Sequence, residues 1–378
     1  MTFAILAGIV FALFLAYANG ANDNFKGVAT LFGSGTTNYR KALIWAAVMT
    51  SLGAIVAIFV ASGLLESFKG KGLVPSEIAS LPAFGLSVAL AAAATVMLAT
   101  RFGFPISTTH ALIGGLVGAG LVGSPTGIYS DKLLSGFLVP LLVSPVIAVG
   151  AAVVLYPLFR WMRQRSSVNK ETCLCIGKEV VVSAPHPADY NALVDAAAIA
   201  MPSITIGEEA ECRDRYTGKI AGIRAEKLLD RAHYLSAGAV SFARGLNDAP
   251  KIAAIMLVGG TLSPWFALSA VTVSMALGGL LSARRVAETM SLKVTKMNHG
   301  QGFTANLITA FLVIVASRFG VPVSTTHVSC GSLIGIGTVT KQANWKTVRS
   351  ILLAWIITLP LSGVLAALLF PMVRSWMG

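Results

Sequence analysis

The sequence predicts an all-α polytopic membrane protein made of two inverted repeats, each with a broken helix and a re-entrant helical hairpin. Three observations carry that prediction. First, 55% of the 378 residues are hydrophobic and only 12% are charged, with a mean hydropathy of +0.75. A soluble domain carries about 25% charged residues. Second, Gly20-Ala21-Asn22-Asp23 with Lys26 returns as Gly245-Leu246-Asn247-Asp248 with Lys251. Third, the run from Arg101 through Pro105, Ser107, Thr108 and Thr109 to His110 returns from Arg318 through Pro322, Ser324, Thr325 and Thr326 to His327. Order is kept, and spacing agrees to within a few residues, so a whole half of the chain is duplicated. Polar motifs set in apolar sequence and present in both halves mark a secondary transporter built from repeats.

Residues 2–19 are apolar, with no basic n-region before them and no small-residue cleavage site after them. A cleaved signal peptide is therefore not expected. Asn19 to Asn24 interrupt the run, which resumes through Thr30 and Leu31, so residues 2–34 predict one interrupted crossing. Unwound backbone at membrane depth must be buried in protein or line a cavity. A plain span is expected at 42–65, followed by a polar loop at 66–82. Residues 83–100 form an alanine-rich run stopped by Arg101, Gly103 and Pro105, and Ser107 to Val122 form a second, shorter run. Two such pieces joined by a tight turn predict a re-entrant hairpin. Leu133 to Trp161 is a final apolar stretch, interrupted by Pro140, Pro145 and Pro157.

Residues 164–227 are charged and mixed in sign. Val180-Val181-Val182 and Ser203 to Ile206 are strand-like, and Tyr216 to Lys219 predict a turn. Cys173, Cys175 and Cys212 fall here near His186. Cys-x-Cys is not the usual spacing of a structural zinc site, so reduced thiols are the expectation. The second half repeats the plan. It has a crossing at 228–258 broken at Gly245–Asp248, a span at 262–283, a hairpin at 302–319 and 324–338, and a last span at 350–373. The domain division is then 1–163, 164–227 and 228–378.

A net charge of +13 points to cytoplasmic loops, not to nucleic acid, because membrane proteins keep surplus Lys and Arg on the inner side. With the central segment inside, Arg40 and Lys41 fall inside, as do the basic loop from Arg284 to Lys296 and Lys341, Lys346 and Arg349. The sparsely basic 66–82 loop and the uncharged 259–264 loop fall outside. Each half then crosses an odd number of times. The repeats are inverted and both termini lie outside.

Ser107 and Ser324 each open a short helix as an N-cap, and Thr108, Thr109, Thr325 and Thr326 fill the first turns. Such a helix end offers free N–H groups and partial positive charge to an anion. Two of them meeting near the midplane suit one small tetrahedral oxyanion. A single copy would more often be mere capping; duplication beside two Asn-Asp motifs reverses the preference. Asp23 and Asp248 are carboxylates in apolar helices, a costly placement that is usually functional. Together with Asn22 and Asn247 they offer hard oxygens suited to Na⁺. The structural alternative is an ion pair with Lys26 or Lys251. His110 and His327 suit proton relay or plain packing.

These paired motifs resemble the duplicated signature of the PiT family of inorganic phosphate transporters. The resemblance covers both membrane halves and leaves the central segment outside; Gly302-Phe303-Thr304 adds to it. It implies import of inorganic phosphate across the plasma membrane, coupled to Na⁺ or H⁺, and some relatives carry sulfate. Eukaryotic members have a glutamate where this chain has Asn306 and another near Thr50, so both coupling ions stay open. The expected function is phosphate symport with a cation, Na⁺ first, by alternating access. Phosphate would bind at Ser107, Thr108, Thr109, Ser324, Thr325 and Thr326, and sodium at Asn22, Asp23, Asn247 and Asp248. No enzymatic activity is expected, since no nucleophile–base pair or nucleotide loop is evident. A channel is disfavoured because duplicated broken helices suit a carrier. A sulfate permease or a proton-coupled phosphate or metal-phosphate carrier is the runner-up. The lipid bilayer is the expected surroundings, no cofactor is expected beyond the coupling ion, and assembly into a homo-oligomer is compatible with all of this.

Overall fold

Helices account for the membrane part, as the apolar runs require. The computed structural model describes residues 2–70, 72–124, 127–169, 171–181, 199–208, 216–258 and 262–377. The first half holds α1 (Thr2–Asp23), α2 (Tyr39–Val60), α3 (Pro82–Phe102), α4 (Thr108–Gly123) and α5 (Val139–Arg165). The second holds α6 (Ala225–Met256), α7 (Pro264–Ser282), α8 (His299–Arg318), α9 (Thr325–Val339) and α10 (Trp345–Met377). Among the described residues, seven helical stretches are long and apolar enough to cross a bilayer. The chain divides into two compact units, one of Met1–Tyr156 with His233–Gly378 and the other of Pro157–Ala232.

The hairpins form where Gly and Pro dictate. Gly103 and Gly320 take left-handed φ values of 74° and 67°, which end α3 and terminate the turn after α8. Extended residues carrying Pro105 and Pro322 follow, because the residue before a proline is pushed out of helical geometry. Ser107 and Ser324 then start α4 and α9 as N-caps, accepting from the amides of His110 and His327 at 3.1 and 3.2 Å.

The halves interlock. A Cβ on Gly20 would overlap the Met275 carbonyl, and one on Gly245 would overlap the Thr50 carbonyl. These glycines let α1 lie against α7 and α6 against α2. The hairpin helices follow the same rule, with Gly118 of α4 against Gly363 of α10 and Gly335 of α9 against Val149 of α5. Helix contacts within a membrane gain from such small residues, which let backbones approach closely. In each of these four pairings the partner belongs to the opposite half.

Several sequence expectations need correction. In the first half α1 runs through the whole Gly20–Asp23 motif, and the break is a 3₁₀ turn at Asn24–Val28, followed by helix again at Ala29–Gly33. In the second half there is no break at Gly245–Asp248: α6 is continuous to Met256. Pro250 lies within it and has no N–H for the Leu246 carbonyl. The prolines of α5 sit inside a continuous helix that follows a π-helical turn at Leu134–Leu138.

The smaller unit contains a three-stranded antiparallel sheet of β1 (Thr172–Val181), β2 (Ile199–Glu208) and β3 (Tyr216–Arg224), in the order β2-β1-β3. The expected turn at Tyr216–Lys219 is therefore the start of a strand. Cys173 is a buried free thiol, while Cys175 is disulfide-bonded, against the expectation of reduced thiols. His186, Cys212 and Val182 lie outside the described residues. Among the described residues no group of three His, Cys, Asp or Glu side chains is placed to hold a metal.

Candidate functional site

Five charged side chains are buried in the membrane unit among the described residues: Asp23, Lys26, Arg244, Asp248 and Lys251, each 3% exposed or less. The duplicated motifs bring them together. Asp23 ends α1, and Lys26 lies in the 3₁₀ turn beyond it. Arg244, Asp248 and Lys251 occupy successive turns of one face of α6, the i, i+4 and i+7 positions of a helix. The N-termini of α4 and α9 close the cluster from the hairpin side.

Lys26 is held by four oxygens. Its ammonium donates to the Asp23 carboxylate, to Asn22 Oδ1 at 2.8 Å, to the Ile106 carbonyl at 2.7 Å and to Thr326 Oγ1 at 2.7 Å. Lys251 repeats the pattern. It donates to Thr109 Oγ1 and to the Val323 carbonyl, each at 2.8 Å, and lies 3.6 Å from Asp248 Oδ1. Each lysine thus reaches its own half's hairpin carbonyl and the opposite half's second threonine. Those threonines return the favour across the halves: Thr326 donates to Ile106 O at 2.9 Å and Thr109 to Val323 O at 3.4 Å.

The first threonines face the carboxylates. Thr108 Oγ1 donates to Asp23 Oδ2 at 3.0 Å, and Thr325 Oγ1 to Asp248 Oδ2 at 3.5 Å. Asn22 supports the first hairpin by donating to Thr100 Oγ1 and to the Phe104 carbonyl, while its oxygen accepts from the Ile106 amide. Asn247 does the same in the second half, donating to the Val323 carbonyl at 3.1 Å and accepting from Ser317 at 3.3 Å. All ten residues expected for the anion and cation sites are therefore buried in this cluster or cap the helices that enter it. Ser107 and Ser324 use their hydroxyl oxygens here as cap acceptors.

Asn19, Asn24 and Thr50 complete the cluster around Arg244. Arg244 stands where the first half has Asn19, and donates to Asn19 Oδ1 at 2.5 Å and to Asn24 and Thr50 at 3.1 and 3.2 Å. Its Nε is 3.8 Å from Asp248 Oδ2. Asn19 donates to Asp23, Thr108 and Asp248 at 2.9, 3.0 and 3.4 Å, which joins the two carboxylates through one amide. An arginine four residues before an aspartate in an apolar helix was the available signal for Arg244. The imidazoles of His110 and His327 lie tilted against each other with centroids 4.3 Å apart, and Trp355 stacks on His327 while donating to the Pro105 carbonyl at 3.0 Å. The histidines thus pack between the two short helices.

Helix N-termini bearing hydroxyls, set against buried cations and carboxylates inside a shell of apolar helices, define a membrane carrier for a small anion. Residues 19–366 match the phosphate transporter family, and the chain belongs to that family. It is 28% identical to a Pyrococcus furiosus protein named as a phosphate permease, over 99% of this chain and 97% of that one. A Rhizobium meliloti protein named as a low-affinity inorganic phosphate transporter is 27% identical over 98% of this chain and 97% of its own length. The fold is also that of a solved structure described as the sodium-dependent phosphate transporter, with a TM-score of 0.75 at 22% identity, covering 99% of this chain and 100% of that one. The protein is a multi-pass membrane transporter and not an enzyme.

Proposed function

We propose that this chain imports inorganic phosphate across the plasma membrane by symport with a cation. In this reading, 1–163 and 228–378 are inverted repeats that rock about the shared site in alternating access. Residues 164–227 are cytoplasmic and both termini lie outside. The observation that carries the proposal is the meeting of two Ser-capped helix N-termini with buried Asp, Lys and Arg side chains from both halves. Ser107, Thr108, Thr109, Ser324, Thr325 and Thr326 with their first-turn amides bind the phosphate oxygens. A carboxylate facing the anion accepts the proton of hydrogen phosphate and disfavours sulfate, which has none to give.

Asn22, Asp23, Asn247 and Asp248 supply the cation side. Sodium is the coupling ion that the residue types suit, and the solved structural neighbour is described as sodium-dependent. A second reading, coupling to H⁺, is favoured by one observation: Asn22 and Asp23 spend oxygens on Lys26, and Asp248 lies beside Lys251 and Arg244. The test is uptake of ³²P-phosphate into proteoliposomes with an imposed Na⁺ gradient, an imposed pH gradient or neither. Concentrative uptake driven by one gradient identifies the coupling ion. Equal, non-concentrative uptake in all three would remove symport, and labelled sulfate taken up in preference to phosphate would make the chain a sulfate permease.

A further inference from the structure

We infer that this chain carries its own counter-cations: the ammonium groups of Lys26 and Lys251 sit in the oxygen sets that a coupling Na⁺ would need, so phosphate binds without sodium. The inference rests on the phosphate reading above and decides its open ion. The oxygens around Lys26 are a carboxylate, a side-chain amide, a backbone carbonyl and a hydroxyl. This is the ligand mix a hard cation takes from a protein. An ammonium has three protons, and four acceptors within hydrogen-bond reach use them all. Around Lys251 the hydroxyl, carbonyl and carboxylate recur, and the Phe68 ring covers the ammonium with its centroid 5.6 Å away. A cation held at these points occupies the oxygens a second one would need, and it would also repel that second cation at low dielectric.

The charge count agrees. The buried groups are three cations, Lys26, Arg244 and Lys251, against two carboxylates, Asp23 and Asp248, which leaves one net positive charge. One dihydrogen phosphate monoanion neutralises it. Hydrogen phosphate, the dianion, reaches the same state by taking up one proton, HPO₄²⁻ + H⁺ giving H₂PO₄⁻. The site therefore matches a monoanion with no sodium present. Neither lysine need touch the phosphate; each acts by its charge and by fixing the opposite half's hairpin threonine, so both are positioning residues.

The experiment is equilibrium binding of ³²P-phosphate to the purified full-length protein, in sodium chloride and in choline chloride, for the wild type, Lys26→Ala and Lys251→Ala. Wild-type affinity is expected to differ by less than about twofold between the salts, since a ligand that does not bind cannot couple. The alanine variants are expected to lose about tenfold or more in choline, because each removes one buried positive charge from the low-dielectric site and frees the opposite half's hairpin threonine. They should regain part of that loss in sodium or methylammonium, which can enter the vacated oxygens. Wild-type affinity that rises with sodium overturns the inference even if neither variant folds. Variants that fold and bind like the wild type in choline overturn it too. Wild type that binds phosphate in neither salt would instead sink the phosphate reading on which it stands.

Discussion

The Lys26 ammonium donates to the Thr326 hydroxyl at 2.7 Å, although 300 residues separate the two in sequence. Lys251 returns the arrangement, donating to Thr109 at 2.8 Å. Each half's lysine thereby holds the first turn of the other half's hairpin helix. Thr326→Val and Thr109→Val keep the shape and delete the acceptor. Each should lower stability by about 1.5–3 kcal/mol, the worth of a hydrogen bond to a charged group, seen as a lower unfolding temperature in detergent. The two losses should be similar, and the double variant should lose their sum if the bonds are independent.

Gly245 should tolerate nothing larger. A methyl group there meets the Thr50 carbonyl oxygen, which belongs to the backbone of α2 and cannot swing aside. Gly245→Ala should cost about 3 kcal/mol or more, or abolish folding, as severe overpacking does. Gly150 of α5 has open space around its Cβ position. Gly150→Ala should instead gain about 0.5–1 kcal/mol through reduced chain entropy. Comparing both unfolding temperatures with wild type checks the pair.

Duplication is what made the site legible. Asp23, Asp248 and the two Ser-Thr-Thr turns stand out because chance rarely repeats them in order, and they do converge. Arg244 was hidden for the same reason: its counterpart in the first half is Asn19, so repetition gave no hint of it. Helix continuity was hidden too. The polar residues of Gly245–Asp248 suggested unwound backbone, yet Asn247 and Lys251 satisfy their donors on the Val323 carbonyl of another element, and the helix need not open. The repeated glycines looked like breaks and are instead points of close approach, which depends on a partner helix that no local pattern reveals.

Arg244 should be indispensable. Its guanidinium spans Asn19, Asn24, Thr50 and the vicinity of Asp248 and is fully buried. Arg244→Met removes one partner of a buried charged network, a loss of about 3–5 kcal/mol. Arg244→Lys keeps the charge but not the fork, so it should restore folding without restoring all contacts. Uptake is expected to be abolished by Met and reduced about tenfold or more by Lys. Wild-type uptake by a folded Arg244→Met would make the arginine a bystander.

The proposed orientation can be read with an impermeant thiol reagent. Ser80 lies exposed in the loop assigned outside, and Arg284 is exposed in the basic loop assigned inside. With the native cysteines replaced, Ser80→Cys should label in intact cells and Arg284→Cys only after permeabilisation. A cysteine at Met290 would be a poor reporter, since that side chain is fully buried. If both exposed positions label from one side, the two halves are not inverted.

Charge balance predicts how selectivity can be moved. Asp248 lies near two cations, at 3.6 Å from Lys251 and 3.8 Å from Arg244, and accepts from Thr325. Asp248→Asn keeps the size, removes one negative charge and raises the net buried charge from one positive to two. A dianion then matches the site better than a monoanion. The new amide can also donate where the carboxylate only accepted, so an anion without a proton no longer faces an unpaired acceptor. Both changes favour sulfate. In the wild type, excess sulfate should compete weakly with labelled phosphate and arsenate strongly. In Asp248→Asn, sulfate should gain about tenfold in competition, the scale of one lost or gained charged hydrogen bond. Phosphate binding should also weaken less as pH rises and the dianion comes to dominate. Competition curves at two pH values for both proteins decide it: unchanged sulfate inhibition in a folded variant would mean that Asp248 does not face the anion, and its role would then be confined to Lys251 and Arg244.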